Sequence, residues 1–271
     1  MSRKDRPILA AFQFLSRFPI RVELDFTPDL LRRSAKYYPL VGAVIGLLIW
    51  AAAAIFSLAL PALPAAVLTL VVWVWITGGL HLDGWMDTAD GLLSYRSRDK
   101  MLEIMKDSRV GAMGVMACVL LLLLKMSLIV SLLEKGPFYT GLAFMTAPVW
   151  SRWFMTWAMR TWPKARQGEG LASHFQGFET RAAVHSGVLA FLLSASGMLL
   201  AEISLVGRGT ELPWLQLLFY FLLHPILAWG MGTWAARRIN AKLGGLTGDT
   251  YGALNEGLEV LLLLFAVILF R

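Results

Sequence analysis

Uninterrupted apolar runs, each about as long as a membrane is thick, constrain this chain more than any other feature. A helix crossing a bilayer needs about 20 mostly apolar residues, because that length spans a hydrocarbon core of roughly 30 Å. Tyr37–Leu60 carries no charged residue, and neither does Pro61–Leu80 beyond a proline turn. Gly111–Leu133 contains only Lys125, Phe138–Met159 only Arg152, and Ala182–Ala201 and Leu212–Ala236 no charge at all. Gly257–Phe270 is shorter and holds Glu259. In lipid every backbone N–H and C=O must be satisfied within the protein, and helices do this segment by segment. The pattern therefore predicts an all-α, polytopic integral membrane helical bundle of six to seven transmembrane helices. It forms one membrane domain over residues 1–271, with no repeat period.

Composition agrees. Only 16% of residues are charged and 57% are hydrophobic, whereas a soluble domain carries about a quarter charged residues. Eleven tryptophans suit membrane interfaces. The single cysteine, Cys118, excludes an intrachain disulfide and a CxxC metal site; lying in an apolar run, it reads as a buried, inert thiol. Pro7–Leu15 is too short for a cleavable leader and, with Phe12, Phe14 and Phe18, reads as an interfacial helix.

The net charge of +7 is explained by its distribution. Of the 25 Lys and Arg, 20 fall in Met1–Lys36, His81–Val110, Arg160–Arg181 and Arg237–Lys242, against Lys135, Arg208 and Arg271 in the intervening loops and ends. The positive-inside rule then places the N-terminus and the basic segments in the cytoplasm, with membrane lipid and no nucleic acid as the implied partner. Lys125 and Arg152 are intramembrane charges, functional candidates by default unless they snorkel to the interface.

Chemistry concentrates in the cytoplasmic segment 78–114, GGLHLDGWMDTADGLLSYRSRDKMLEIMKDSRVGAMG. Asp83, Asp87 and Asp90 recur at i, i+4 and i+7, the latter two within about 40° of Asp83 on one helical face. Three like charges there repel unless a cation neutralises them, and Mg²⁺ takes hard oxygen ligands from a few carboxylates plus substrate phosphates. Gly84 and Gly91 leave space for phosphate to approach the backbone. Glu103 and Asp107 repeat the i, i+4 spacing on a helix over 100–109, flanked by Lys106 and Arg109. Carboxylates for metal beside cations for phosphate are the parts that phosphoryl transfer needs. The metal set is thus Asp83, Asp87, Asp90 and Asp107, with Asp107, Arg109 and Lys106 as catalytic candidates. The alternative for each is a solvated charged loop.

Two further cytoplasmic loops are expected, over 160–181 and 237–256. The first supplies Arg166, Glu169 and His174. The second, with GGLTGDTYGALNE, supplies Asp249 and Glu256. Arg166, Glu169, Asp249 and Glu256, together with His81, are candidate substrate-binding residues, set against a plain linker in the Gly-rich stretch. His185 and His224 lie inside spans and read as packed, hydrogen-bonded histidines. A transporter would gather its polar residues in broken helices near the bilayer midplane; here they gather in loops, which favours an enzyme.

The strings GGLHLDGWMDTADG, LEIMKDSRVGAMGV and LGGLTGDTYGALNE, with the early FLSRFPI and YYPLVGAVIG, resemble the cobalamin synthase family over most of the chain. The resemblance implies a polytopic enzyme of the bacterial inner membrane. Such enzymes transfer the adenosylcobinamide phosphate moiety from adenosylcobinamide-GDP to alpha-ribazole or its 5′-phosphate. The products are adenosylcobalamin or its 5′-phosphate, and GMP, in the last steps of cobalamin biosynthesis. It also implies Mg²⁺ as cofactor, and as further partners a homo-oligomer and other cobalamin-assembly enzymes. A weaker similarity links Asp87-Thr-Ala-Asp90-Gly91 to the DxxDG opening of CDP-alcohol phosphotransferases. Their following Ala-Arg is absent, Ser94-Tyr95 lying nearby instead, and their downstream paired aspartates do not match.

Overall fold

The computed structural model describes residues 5–166, 179–203 and 214–271. Eleven helices make up the described regular structure, beginning with α1 Pro7–Leu15, α2 Pro28–Ala35, α3 Tyr38–Ser57 and α4 Ala62–Thr77. Next come α5 Leu80–Leu92, α6 Arg98–Ile104, α7 Ala112–Lys135 and α8 Pro137–Thr161. The chain closes with α9 Thr180–Ile203, α10 Trp214–Leu243 and α11 Gly248–Leu269. The only strand-like feature among the described residues is an isolated parallel bridge between Lys164 and Leu246.

Five helices (α3, α7, α9, α10 and α11) are individually long and apolar enough to cross a membrane, and α4 with α5 makes a sixth if counted as one broken span. Helix α8 is long enough at 25 residues, but it is the hub of the bundle. It packs on α3, α7, α9, α10 and α11 and is buried almost throughout. Protein rather than lipid surrounds it, so it tolerates Arg152 and several threonines. Small residues let α3 approach it closely: a Cβ on Gly42 or Gly46 would strike the α8 backbone at Pro148 or Phe144. Such small-residue seams are how helices associate where lipid removes the hydrophobic drive.

The turn after α4 positions the site. Gly78 and Gly79 both sit in the left-handed region, at φ 65° and 71°, which costs glycine nothing and other residues 1–2 kcal/mol or so. Two such residues in succession end α4 and restart the chain as α5 at 89° to it. Helix α5 therefore runs across the end of the bundle, resting on α11 and α7. α1, α6 and the 163–166 segment gather at the same end. Arg17 N–H donates to Ile76 O (2.7 Å), and Arg98 donates to Leu243 O and Ala165 O, both at 2.8 Å.

Several sequence expectations change here. The segment 78–114 is largely helical, as α5 and α6. Residues 237–256 are not a loop either: α10 continues to Leu243 and α11 starts at Gly248, leaving a turn of 244–247. Helix α11 is stopped N-terminally by a capping box in which the Thr247 and Thr250 side chains each bond the other's backbone N–H. The shortest expected span is thereby a full 22-residue helix. Cys118 is half-buried rather than enclosed. His224 is buried, but neither ring nitrogen has a hydrogen-bond partner among the described residues; it packs on Tyr220 at 4.5 Å. His185 is exposed.

Candidate active site at one end of the bundle

Helix α5 leaves Asp83 and, in part, Asp87 open to solvent while the face bearing Gly84 and Thr88 packs. Asp83 is exposed, Asp87 and Asp90 are half-buried, and Gly84 and Thr88 are buried. Contact with α11 is close at Gly84, where an added Cβ would lie 2.6 Å from Asp249 O. Gly91 is filled by the Met105 side chain. These glycines serve helix packing, so the expected phosphate space at Gly84 and Gly91 is absent.

The close crossing brings Asp249 from the first turn of α11 to the aspartate face. Burial, then Asp83, Asp249 and Asp90 in that order, push the Asp87 carboxyl up to about 7, opposed by Arg166. Arg166 is anchored through Nη2 to Leu102 O (2.8 Å) and faces Asp249 at 4.0 Å. Arg166 and Asp249, assigned from separate segments, thus belong to one site with Asp83 and Asp87.

Asp90 behaves differently. Its two oxygens accept the N–H groups of Gly111 and Gly114, each at 2.8 Å, so it caps the N-terminus of α7. Asp107 does not join the aspartates. Helix α6 ends at Ile104, which breaks the expected continuous helix over 100–109. Asp107 instead holds the Arg109 guanidinium in a fork, at 3.0 and 2.7 Å. Hydrogen bonds from Arg109 keep the Asp107 carboxyl down at about 2, a poor proton acceptor at neutral pH. Both side chains are exposed, as is Lys106. Glu103 pairs with Lys100 at 2.7 Å. The segment carrying Arg109 is nonetheless tied to the aspartate helix two residues later, through the Gly111–Asp90 bond. Glu169 and His174 lie outside the described residues.

Glu256 is not in the site either. It is buried in the bundle, where Lys125 Nζ donates to Glu256 (3.0 Å) and Glu259 (2.6 Å), and Arg152 donates to Glu259 (2.6 Å). The two intramembrane cations are thus neutralised by two carboxylates one helical turn apart on α11, and Lys125 also lies 4.1 Å over the Trp73 ring. Neither cation snorkels to the interface. The network reaches the site through Asn255, whose Nδ2 donates to His81 Nδ1 (3.0 Å). Burial, with Arg152 next, brings the His81 imidazole down to about 3, so it is neutral at physiological pH.

Two residues that the sequence reading passed over also face this region. Lys164 donates to Tyr251 Oη (2.6 Å) and Met159 O (3.0 Å), and burial lowers its ammonium to about 8. Arg17, within the FLSRFPI string, lies against Gly78 at the elbow. The FLSRFPI string was the available signal for Arg17, whereas Lys164 lies in none of the quoted motifs. Two openings meet at Asp83. One, of about 590 Å³, is bounded by Gln13, Arg17, the Gly78–Gly79 elbow and Asp83; the other, of about 90 Å³, by His81, Asp83, Asp249 and Tyr251.

The donor set suits Mg²⁺ in one respect. Burial and then the neighbouring carboxylates raise the Asp87 pKa, and the like-charge part is the condition a divalent cation relieves. Among the described residues, however, no three His, Cys, Asp or Glu side chains form a ready-made metal cluster. That fits an ion completed by water and substrate phosphates better than an all-protein cage.

Comparison with known proteins places the chain. The family described as cobalamin-5-phosphate synthase matches residues 7–267. The adenosylcobinamide-GDP ribazoletransferase of Brevibacillus brevis is 38% identical over 96% of both chains. The enzyme of that name from Desulfitobacterium hafniense is 37% identical, again over 96% of both. That of Pseudomonas fluorescens is 36% identical over 95% of this chain and 97% of its own. No solved structure matches. The profile covers nearly the whole chain, including every segment that meets at the aspartate helix, and the chain belongs to the cobalamin-5-phosphate synthase family.

Proposed function

We propose that this chain transfers the adenosylcobinamide phosphate moiety from adenosylcobinamide-GDP to alpha-ribazole or alpha-ribazole 5′-phosphate, releasing GMP, with Mg²⁺ as cofactor. The observation that carries the reading is the convergence of Asp83, Asp87 and Asp249 with Arg166 at one end of the bundle, in a chain whose relatives bear that enzyme's name. The positive-inside asymmetry supports placing this end at the cytoplasmic face of the bacterial inner membrane.

In the step, a ribose hydroxyl of the acceptor attacks the cobinamide-side phosphorus. The new P–O bond forms as the bond to the bridging oxygen breaks, and GMP departs with that electron pair. A 5′-phosphorylated acceptor gives a 5′-phosphorylated product, so the attacking hydroxyl is one of the other ribose hydroxyls. Its proton passes to Asp249, whose carboxyl is raised by burial, rather than to Asp107, which hydrogen bonds from Arg109 make a weak base. Mg²⁺, held by Asp83 and Asp87 with water and substrate phosphates completing its shell, would neutralise charge on the diphosphate. Asp90 supports this set indirectly, by fixing α7 against α5. Arg166 and, on the adjoining segment, Arg109 with Lys106 supply positive charge for the phosphoryl oxygens. An arginine fork can exchange a carboxylate for two phosphate oxygens. Most of the acceleration comes from positioning and electrostatics.

The test is a purified-protein assay with adenosylcobinamide-GDP and alpha-ribazole, with and without Mg²⁺. GMP release that requires both substrates and the metal is expected. Release of CMP from a CDP-alcohol, with no turnover of the cobinamide donor, would overturn the reading.

A further inference from the structure

In-line phosphoryl displacement needs the attacking and leaving oxygens on opposite sides of phosphorus. Asp83 stands on the wall shared by two openings, so the arrangement offers two approaches to one point. The larger, of about 590 Å³, is within the roughly 300–1,000 Å³ of small-ligand sites and is bounded by α1, the Gly78–Gly79 elbow and the first turn of α5. Among the described residues that line it, the one basic side chain is Arg17.

Three features fix Arg17 there. Its N–H donates to Ile76 O at 2.7 Å, which ties the chain after α1 to the last turn of α4. Its side chain lies directly on Gly78, where a Cβ would collide with the arginine Cγ, Nε and Cδ. Ser16 and Gln13 stiffen the same segment, the Gln13 amide donating to Ile20 O (2.9 Å) and Val22 O (2.8 Å). Yet the exposed Arg17 guanidinium makes no ion pair or hydrogen bond among the described residues. An arginine held by its backbone and stem, with its charged fork left open beside a polar cavity, has the geometry to take two phosphate oxygens.

We propose that this cavity is the subsite for the nucleotide end of the donor, with Arg17 binding the phosphate that leaves as GMP. The assignment rests on the reaction proposed above. The acceptor in its free form carries no phosphate for Arg17 to bind, whereas the donor always carries a diphosphate, and its nucleotide side gains negative charge as the P–O bond breaks. The acceptor then enters from the Asp249 and His81 side.

The test compares wild type, Arg17→Ala and Arg17→Lys as full chains in nanodiscs of zwitterionic and of anionic lipid. We measure GMP binding by equilibrium dialysis, and KM for both substrates. Arg17→Ala should weaken GMP binding and raise the donor KM at least about tenfold in both lipids, with the alpha-ribazole KM unchanged. Arg17→Lys should recover part of the loss. Unchanged GMP affinity in Arg17→Ala would overturn the subsite, as would a rise confined to the acceptor KM. A loss seen only in anionic lipid would also overturn it, assigning Arg17 to a lipid headgroup. If wild type binds GMP through Arg17 but does not turn over the cobinamide donor, the subsite stands and the proposed reaction falls.

Discussion

The buried charge network makes a quantitative prediction. Lys125, Arg152, Glu256 and Glu259 sum to zero charge, and all four are almost fully removed from solvent. Glu259 accepts from both cations at 2.6 Å, so Glu259→Gln leaves one positive charge uncompensated in the bundle. Breaking a buried pair from one side costs about 3–5 kcal/mol, and roughly 2–4 °C per kcal/mol applies to chains near this size. The expected fall in Tm is on the order of 10 °C, read by a thermal unfolding scan in detergent. The sharper measurement is a double-mutant cycle. Lys125→Met alone strands Glu256, and Glu256→Gln alone leaves Lys125 only partly matched, whereas the double variant removes one charge of each sign and keeps the Arg152–Glu259 pair. The double should be less destabilised than Lys125→Met alone, with a coupling of about 2 kcal/mol. Losses that simply add would refute the view that these groups are held as a neutral set.

Four further outcomes are expected. Asp83→Asn, Asp87→Asn and Asp249→Asn should each lower kcat by about 100-fold or more, the scale of losing an electrostatic catalytic group, with Tm little changed; near-normal turnover in any two would remove the carboxylate site. Asp90→Ala should act through stability, costing about 1 kcal/mol as a lost helix cap, and a large kcat loss at unchanged Tm would contradict its capping role. Arg109→Lys should lower kcat and kcat/KM by similar factors if the fork engages phosphate in the transition state, whereas unchanged values of both would make it a topological anchor. Gly84→Ala should force α5 off Asp249, losing about 1–3 kcal/mol by overpacking together with activity; wild-type Tm and turnover would show that the helices do not cross so closely.

The sequence alone determined the features that depend on neighbouring residues. Spans follow from the length of uncharged runs, because a bilayer imposes one length on every crossing helix. The shared face of Asp83 and Asp87 follows from the 3.6-residue period. Local spacing could not tell which carboxylates meet. Asp90 has the right period, yet a neighbouring helix terminus offers it two amides and it caps α7. Asp107 has the right spacing from Glu103, yet the helix stops before reaching it. Glu256 reads as a loop residue beside GGLTGD, but the capping box at Thr247 begins α11 early and carries it down to Lys125. Asp249 meets the Asp83–Asp87 face, and Arg17 lines an opening that reaches Asp83, because paired left-handed glycines turn α5 by 89° and lay it across α11 at Gly84. Such meetings depend on the angle and closeness with which whole helices pack, and that is a property of the assembled bundle rather than of any one segment.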